Sequence, residues 1–284
     1  MHLAFEKTLV RTLTLTLCGM FLLGISQFAE ANTLCVDPSG SHGCYSKIQD
    51  AVNHAAANDV INVGAGTYNE EVDIGIPLSL MGAGANKTFI DATNQSHSVF
   101  VDGYDHPGLN DVTVSNFTVE NALYEGVLVV NASDVTISDN TIVNNDQIPH
   151  QFTGDLTGCT NQPGNGIYET DETGDCGGAI HLVGTINSVV SGNLITGNAD
   201  GILISDETAE SRNNLFIRNT VKDNPQECGI VLASHPNAGN TTPPFAPHFG
   251  VDHNTVSENF STATSGRRLA FRQTTCPETR SSAT

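Results

Sequence analysis

The sequence predicts an all-β fold, a parallel β-helix (solenoid) with an N-terminal capping helix. Three observations predict it. The first is a set of five asparagine pairs, each pair five residues apart: Asn116/Asn121, Asn140/Asn145, Asn193/Asn198, Asn219/Asn224 and Asn254/Asn259. The second is their common frame of short apolar alternation, clearest in Val135–Asn145 and Val189–Asn198. The third is a second strand after the pairs, seen in the runs beginning at Gly126, Ala179, Gly201 and Gly229. The first asparagines are spaced by 24, 53, 26 and 35 residues, a period in the twenties interrupted by two insertions. Such a period built from short strands is the mark of a solenoid with one repeat per coil.

Each element has a physical reason. Alternation places Val127/Val129, Ile180/Leu182, Ile202/Ile204 and Ile230/Leu232 on one face, a face that no coil can bury alone. Stacking coils at ~4.8 Å joins these faces into one core. Asparagine suits the corners because it tolerates left-handed backbone and its amide can bond the copies above and below. Valine, isoleucine and threonine dominate the repeats, which excludes a helical solenoid.

The chain opens as an export signal would. Lys7 and Arg11 flank an apolar run from Leu13 to Ile25, and Ala29-Glu30-Ala31 offers small residues for cleavage, as a signal peptidase requires. The run is short and threonine-rich for a membrane span. The domains expected are therefore 1–31 as signal peptide, 32–260 as β-helix and 261–284 as an irregular or disordered tail, where the repeat stops and arginines gather. A secreted, periplasmic or cell-surface location follows, with no stable membrane span after signal removal.

Six cysteines remain after residue 31, a count compatible with disulfides in an exported chain. Cys35/Cys44 and Cys159/Cys176 are the natural local pairs; Cys228 and Cys276 either pair or stay free. The net charge is −20. Nucleic acid, which demands a basic stripe, is thereby disfavoured as a partner, and free polyuronides are repelled unless calcium bridges them.

At the N-terminal end, residues 46–57 read as a short amphipathic helix, with Ile48, Ala51, Val52 and Ala55 on one stripe and Ser46 as the cap. A helix laid there would protect the open strand edges of the first coil. Strands follow at Val60–Val63, from Gly66 through Ile74 and at Leu78–Gly82, each closed by glycine or asparagine turns.

The segments Lys47-Ile-Gln-Asp-Ala-Val-Asn, Asp59-Val-Ile-Asn-Val, Gly66-Thr-Tyr-Asn-Glu, Leu78-Ser-Leu-Met-Gly-Ala-Gly and Thr88-Phe-Ile-Asp-Ala resemble the opening of right-handed parallel β-helix proteins of the pectin lyase-like superfamily. The resemblance covers roughly residues 45 to 260 and implies the right-handed fold. That superfamily spans lyases, glycosidases, esterases, epimerases, tailspikes and adhesins. The Gly66/Tyr68/Glu70 pattern is similar to one in pectin methylesterases. Their Asp-Phe-Ile-Phe-Gly segment is missing here, as are the paired Asp and Gly-His-Gly segments of polygalacturonases and the Asp-Pro-His-Asp segment of alginate epimerases. No family catalytic residue carries over.

Candidate sites therefore come from the residues alone. Glu125 and Asp200 share one column two coils apart, near ~10 Å, and acids at slightly less than that separation can serve an inverting hydrolase. His181 is the polar member of the outward column Leu128, His181, Leu203, Val231. These three residues are the catalytic candidates. His150, His235 and His248, on the two insertions, are binding candidates, because loops carry function on a rigid solenoid. Glu169, Asp171 and Asp175 lie in a loop that Cys159 and Cys176 can hold, and their hard oxygens suit calcium; no other cofactor is indicated. The function expected is an extended surface that binds glycan or another macromolecule. The alternative is a lyase, hydrolase or epimerase acting on an acidic polysaccharide.

Overall fold

The computed structural model describes residues 31–145, 179–224, 229–234 and 249–261. Its strands pair in parallel throughout and stack into three sheets of eight, six and seven strands, with a further two-stranded pair at one corner. Successive strands of any one sheet come from successive coils, which is the β-helix expected. The six-stranded sheet runs through Val72–Ile74, Val99–Asp102, Val127–Val130, Ile180–Val183, Ile202–Ser205 and Ile230–Leu232.

Register follows the alternation read from the sequence. Val127 pairs with Ile180, Ile180 with Ile202, and Ile202 with Ile230. Their inward side chains join one continuous core with Val129, Leu182, Ile204 and the Val114/Ile137/Val190/Phe216 column of the eight-stranded sheet. Each such fully buried aliphatic contributes about 1.5–3 kcal/mol relative to exposure. Gly201, at the entry to its strand, allows the next coil to close in. A Cβ there would lie 2.0 Å from the Gly229 carbonyl oxygen.

The asparagines form ladders along the solenoid axis. Phe117 N–H donates to Asn140 Oδ1, and Asn140, Asn193 and Asn219 each donate their own N–H to the Oδ1 of the next member, ending at Asn259, at 2.8–3.1 Å. A second ladder runs from Ala122 N–H through Asn145 and Asn198 to Asn224. A third runs from Val135 N–H through Ser188 and Asn214 to Asn254. The residue before many ladder members takes left-handed backbone: Asn116, Asp139, Gly192, Arg218 and Glu258 have φ between 54° and 67°.

Two expectations are corrected here. Asn116 and Asn121 stand outside the three buried ladders; they occupy the left-handed corner position, with φ of 66° and 68°, because Phe117 and Ala122 present the backbone that the next ladder amide accepts from, and Asn121 instead bonds the coils on either side through Asp91 and Asn144 in an outer file. Asn254 stacks on Asn214 and Asn259 on Asn219. The five-residue spacing is shared by all three corners, so spacing alone left the last coil one corner out of step.

The capping helix, α1, spans Ile48–His54 and buries Ile48, Ala51 and Val52. Ser46 is not its cap. Glu70 is: Oε1 accepts from Ile48 N–H at 2.8 Å and Oε2 from Gln49 N–H at 3.0 Å. A carboxylate there satisfies two orphan donors and complements the positive end of the helix. Cys35 and Cys44 form a disulfide in the first coil. No helix among the described residues is long and apolar enough to cross a membrane.

Candidate functional site

The outward side of the six-stranded sheet departs from the usual polar exterior of a solenoid. Leu128, Val130 and Val183 are fully buried there and pack with Phe100. His181, in register between Leu128 and Leu203, is 1% exposed. Burying an imidazole or a carboxylate without partners is unfavourable by several kcal/mol, so the contacts of these groups carry the chemistry of the region.

Those contacts cross four successive coils. His97 Nδ1 lies 2.6 Å from Glu125 Oε2. The other oxygen, Glu125 Oε1, is 3.6 Å from His181 Nδ1. His181 Nε2 is 2.8 Å from Ser205 Oγ. The order along the line is His97, Glu125, His181, Ser205, and Glu125, His181 and Ser205 are at most 1% exposed. Register explains the line: Glu125 sits two residues before Val127 and His97 two before Val99, and those valines pair. Burial works against the charge on the His97 imidazole, but the Glu125 carboxylate beside it, helped by Glu71 and Asp73, outweighs that and pushes its pKa up. Burial raises the Glu71 and Asp73 carboxyls as well, His97 opposing it in both cases.

An open groove of about 580 Å³ adjoins this line, between α1 and the first strands of the same sheet. Gln49 and Asn53 line one side; Asp73, Phe100, Asp102 and His106 line the other. Gln49 is fixed through both its amide atoms, accepting from Asp73 N–H at 2.7 Å and donating to the Asp73 carbonyl at 3.2 Å. Asp102 Oδ1 accepts from the Tyr104 and Asp105 N–H groups, and His106 Nδ1 lies 3.5 Å from Asp102 Oδ2. Gly75 makes room for His106, since a Cβ there would come within 2.5 Å of the ring. Phe100 joins the groove to the buried line, its ring centroid 5.7 Å from that of His97.

Glu125 and His181, two residues expected as a site, are thus neighbours. Asp200 lies in the Glu125 column two coils on, as the register of Val127, Ile180 and Ile202 requires, and is buried; the Glu125 carboxylate, however, turns to the two imidazoles. His97, Ser205 and the groove residues escaped sequence reasoning. His97 precedes the first asparagine pair, and Ser205 ends its strand where serine reads as solvent-facing; the signal was register, since Ser205 follows His181 by one coil and two positions. His150, Glu169, Asp171, Asp175, Cys159 and Cys176, and on the second insertion His235 and His248, lie outside the described residues, as do Cys228 and Cys276. Among the described residues no group of three His, Cys, Asp or Glu side chains is placed to hold a metal ion.

A family model described as the right handed beta helix region matches residues 93–268, more than half of the chain. The chain belongs to that family. Among solved structures, it is similar to ORF18 of Geobacillus virus E2, with 15% identity, a TM-score of 0.48 and coverage of 75% of this chain and 43% of that one. The chain therefore spans less than half the length of the viral protein. It is also similar to pectin methylesterase from carrot (14% identity, TM-score 0.39, covering 83% and 85%) and to pectin methylesterase PemA from Erwinia chrysanthemi (13%, 0.40, 84% and 92%). These superpositions are too loose to bear on activity. Among curated proteins, none matches the sequence.

Proposed function

We propose that this chain is an exported β-helix protein that binds a glycan along the outward side of its six-stranded sheet, with the groove beside α1 as the binding subsite. The observation that carries the reading is the composition of that groove: one aromatic face, Phe100, set among the planar amides and carboxylates of Gln49, Asn53, Asp73 and Asp102. An aromatic ring matches the C–H face of a sugar, and fixed planar donors and acceptors match its hydroxyls; few polar groups in a shaped cleft give orientation and specificity. The acidic lining and the net charge of −20 oppose a bare polyanion, so a neutral or acylated polysaccharide fits better than a free polyuronate, which would need calcium to bridge it. The Cys35–Cys44 disulfide agrees with an oxidising compartment.

The test is retention of the chain on a panel of neutral, acetylated, methyl-esterified and free-acid polysaccharides, with and without calcium. Phe100→Ala and Asp73→Asn should each lower affinity for the retained polymer at least about tenfold, a loss of ~1.4 kcal/mol. Retention unaffected by both would place binding elsewhere.

A second reading, catalysis on the bound glycan, is favoured by one observation: Glu125 is enclosed between His97 and His181 rather than left as a solvated corner acid. Buried titratable groups held by specific charge partners beside a cleft are candidate acid–base machinery.

A further inference from the structure

The geometry points to a serine esterase centre at Ser205, with His181 as its general base and Glu125 as the group that orients the imidazole, acting on acyl esters of a glycan. This deepens the catalytic reading above and rests on it. Three features carry it. Ser205 Oγ lies 2.8 Å from His181 Nε2, within the reach a nucleophile and its base require. The opposite ring nitrogen, Nδ1, faces Glu125 Oε1 at 3.6 Å; that is beyond hydrogen-bond length but inside ion-pair range, and such contacts are commonly loose before substrate binds. The second carboxylate oxygen is held by His97 at 2.6 Å, which anchors Glu125 from the far side. The nitrogens are thus used in the order a nucleophile–base–carboxylate line demands, recognised by geometry and not by sequence order. With the carboxylate on the Nδ1 side, the neutral ring carries its proton there and leaves Nε2 to accept from the Ser205 hydroxyl.

The reaction balances with water as the only co-reactant. Ser205 Oγ adds to the ester carbonyl carbon while its proton passes to His181 Nε2. The adduct collapses by breaking the bond to the sugar oxygen, which leaves as an alcohol with the proton from His181. Water then adds to the acyl–serine carbonyl, giving its proton to His181, and collapse releases a carboxylic acid and restores the Ser205 hydroxyl. Glu125 is a positioning residue in this scheme; it faces Nδ1 of His181, orients the imidazole and touches no substrate atom. The groove lies on the same face: Asp102, which lines it, is in register with Val130, Val183 and then Ser205, three coils or ~14 Å along the axis. Ser205 is closed to solvent in the structure, so a reaction at its hydroxyl also reports that this face opens to substrate.

The experiment treats the full chain with a fluorophosphonate probe, locates any adduct by peptide mass mapping, and follows acetate release from an acetylated polysaccharide. One adduct on Ser205 is expected in the unmodified protein, a result that needs no variant to fold. Ser205→Ala should abolish labelling and acetate release. His181→Gln should slow both by roughly a hundredfold or more, the usual weight of a general base. Glu125→Gln should displace the pH profile of labelling, a change that a purely structural role would not produce. No adduct on the folded chain, an adduct elsewhere, or acetate release unchanged in a folded Ser205→Ala overturns the proposal. Glycan retention is measured on the same samples: retention without labelling sinks the esterase alone, labelling with acetate release but no retention sinks the groove as binding subsite and leaves the esterase, and labelling with neither retention nor acetate release sinks both.

Discussion

Replacing Asn193 by alanine removes the centre of the longest amide ladder, and its effect can be worked out from the bonds lost. Asn193 Oδ1 accepts from Asn140 N–H at 3.0 Å and from Asn140 Nδ2 at 3.2 Å. Its Nδ2 donates to the Ile137 carbonyl at 2.9 Å and to Asn219 Oδ1 at 3.0 Å. The side chain is 1% exposed, so no water replaces these partners. Two of the groups left behind retain other bonds: Asn140 Nδ2 still donates to the Val114 carbonyl, and Asn219 Oδ1 still accepts from Asn193 N–H. Asn140 N–H loses its partner, while the Ile137 carbonyl keeps its place in the parallel ladder with the Val189–Ser191 strand. At about 1–3 kcal/mol for the buried donor left unmade and about 0.5–1.5 kcal/mol for each of the other three bonds lost, the substitution should destabilise the chain by roughly 3–5 kcal/mol, a large part of a typical domain's 5–15 kcal/mol. At ~2–4 °C per kcal/mol for this size, the melting temperature should fall on the order of 10 °C. Asn254→Ala, at the end of the third ladder and partly exposed, should cost under about half as much. Thermal and urea unfolding of both variants, followed by circular dichroism, measures this. A loss below about 1 kcal/mol for Asn193→Ala, or an equal loss at Asn254, would refute the view that buried axial amides hold the coils together.

Other outcomes follow from the structure. Glu70→Ala should lower stability by about 1–2 kcal/mol, the ordinary weight of a helix cap, and speed amide exchange in residues 48–54 ahead of the rest of the chain. Because the folded state raises the His97 pKa above its ordinary 6.5, protonation of this ring adds stability that is complete below that value and is lost as pH rises through the raised one; His97→Asn should flatten the pH dependence of unfolding in that window. Reducing the Cys35–Cys44 bridge, which closes a nine-residue separation, should destabilise by about 2–3 kcal/mol by the chain-entropy estimate, measured as a melting shift with and without reductant. Amide exchange should be much faster at 251–261 than in the central coils, since Val256, in register with fully buried Phe216, is 38% exposed; equal protection would contradict this.

The fold was legible because its signal repeats. Val127, Ile180 and Ile202 each announce the same inward face, and an error at one coil is corrected by its neighbours. What sequence missed occurs once. Ser46 has the chemistry of a cap, but Glu70 reaches the helix from a different coil, and no local pattern reports that. Asn254 and Asn219 look equivalent because three corners use the same side chain at the same spacing, and only the hydrogen bonds assign each to its ladder. At the candidate site, Glu125 and His181 stood out because acids and imidazoles are rare in those columns. His97 precedes the first asparagine pair and Ser205 passes for an ordinary strand end, so their juxtaposition needed the register of four coils at once.

The ladders also have a direction. In each of them a coil's backbone N–H is received by a side-chain oxygen of the coil that follows it in sequence, an amide oxygen except at Ser188, and the asparagine amide nitrogens reach back to a carbonyl of the coil before. A finished coil thus presents unfilled N–H groups that only the next coil can accept. In kinetic terms the chain is set up to zip from its helix-capped, disulfide-closed end; the ladder bonds span 23 to 53 residues, and because closure entropy grows only with the logarithm of length, the longer steps cost under about 1 kcal/mol more than the shorter. A folding nucleus at that end would let coils add in the order in which they leave the ribosome or cross a membrane, and the time to fold would grow in proportion to the number of coils rather than with the span between the chain's two ends.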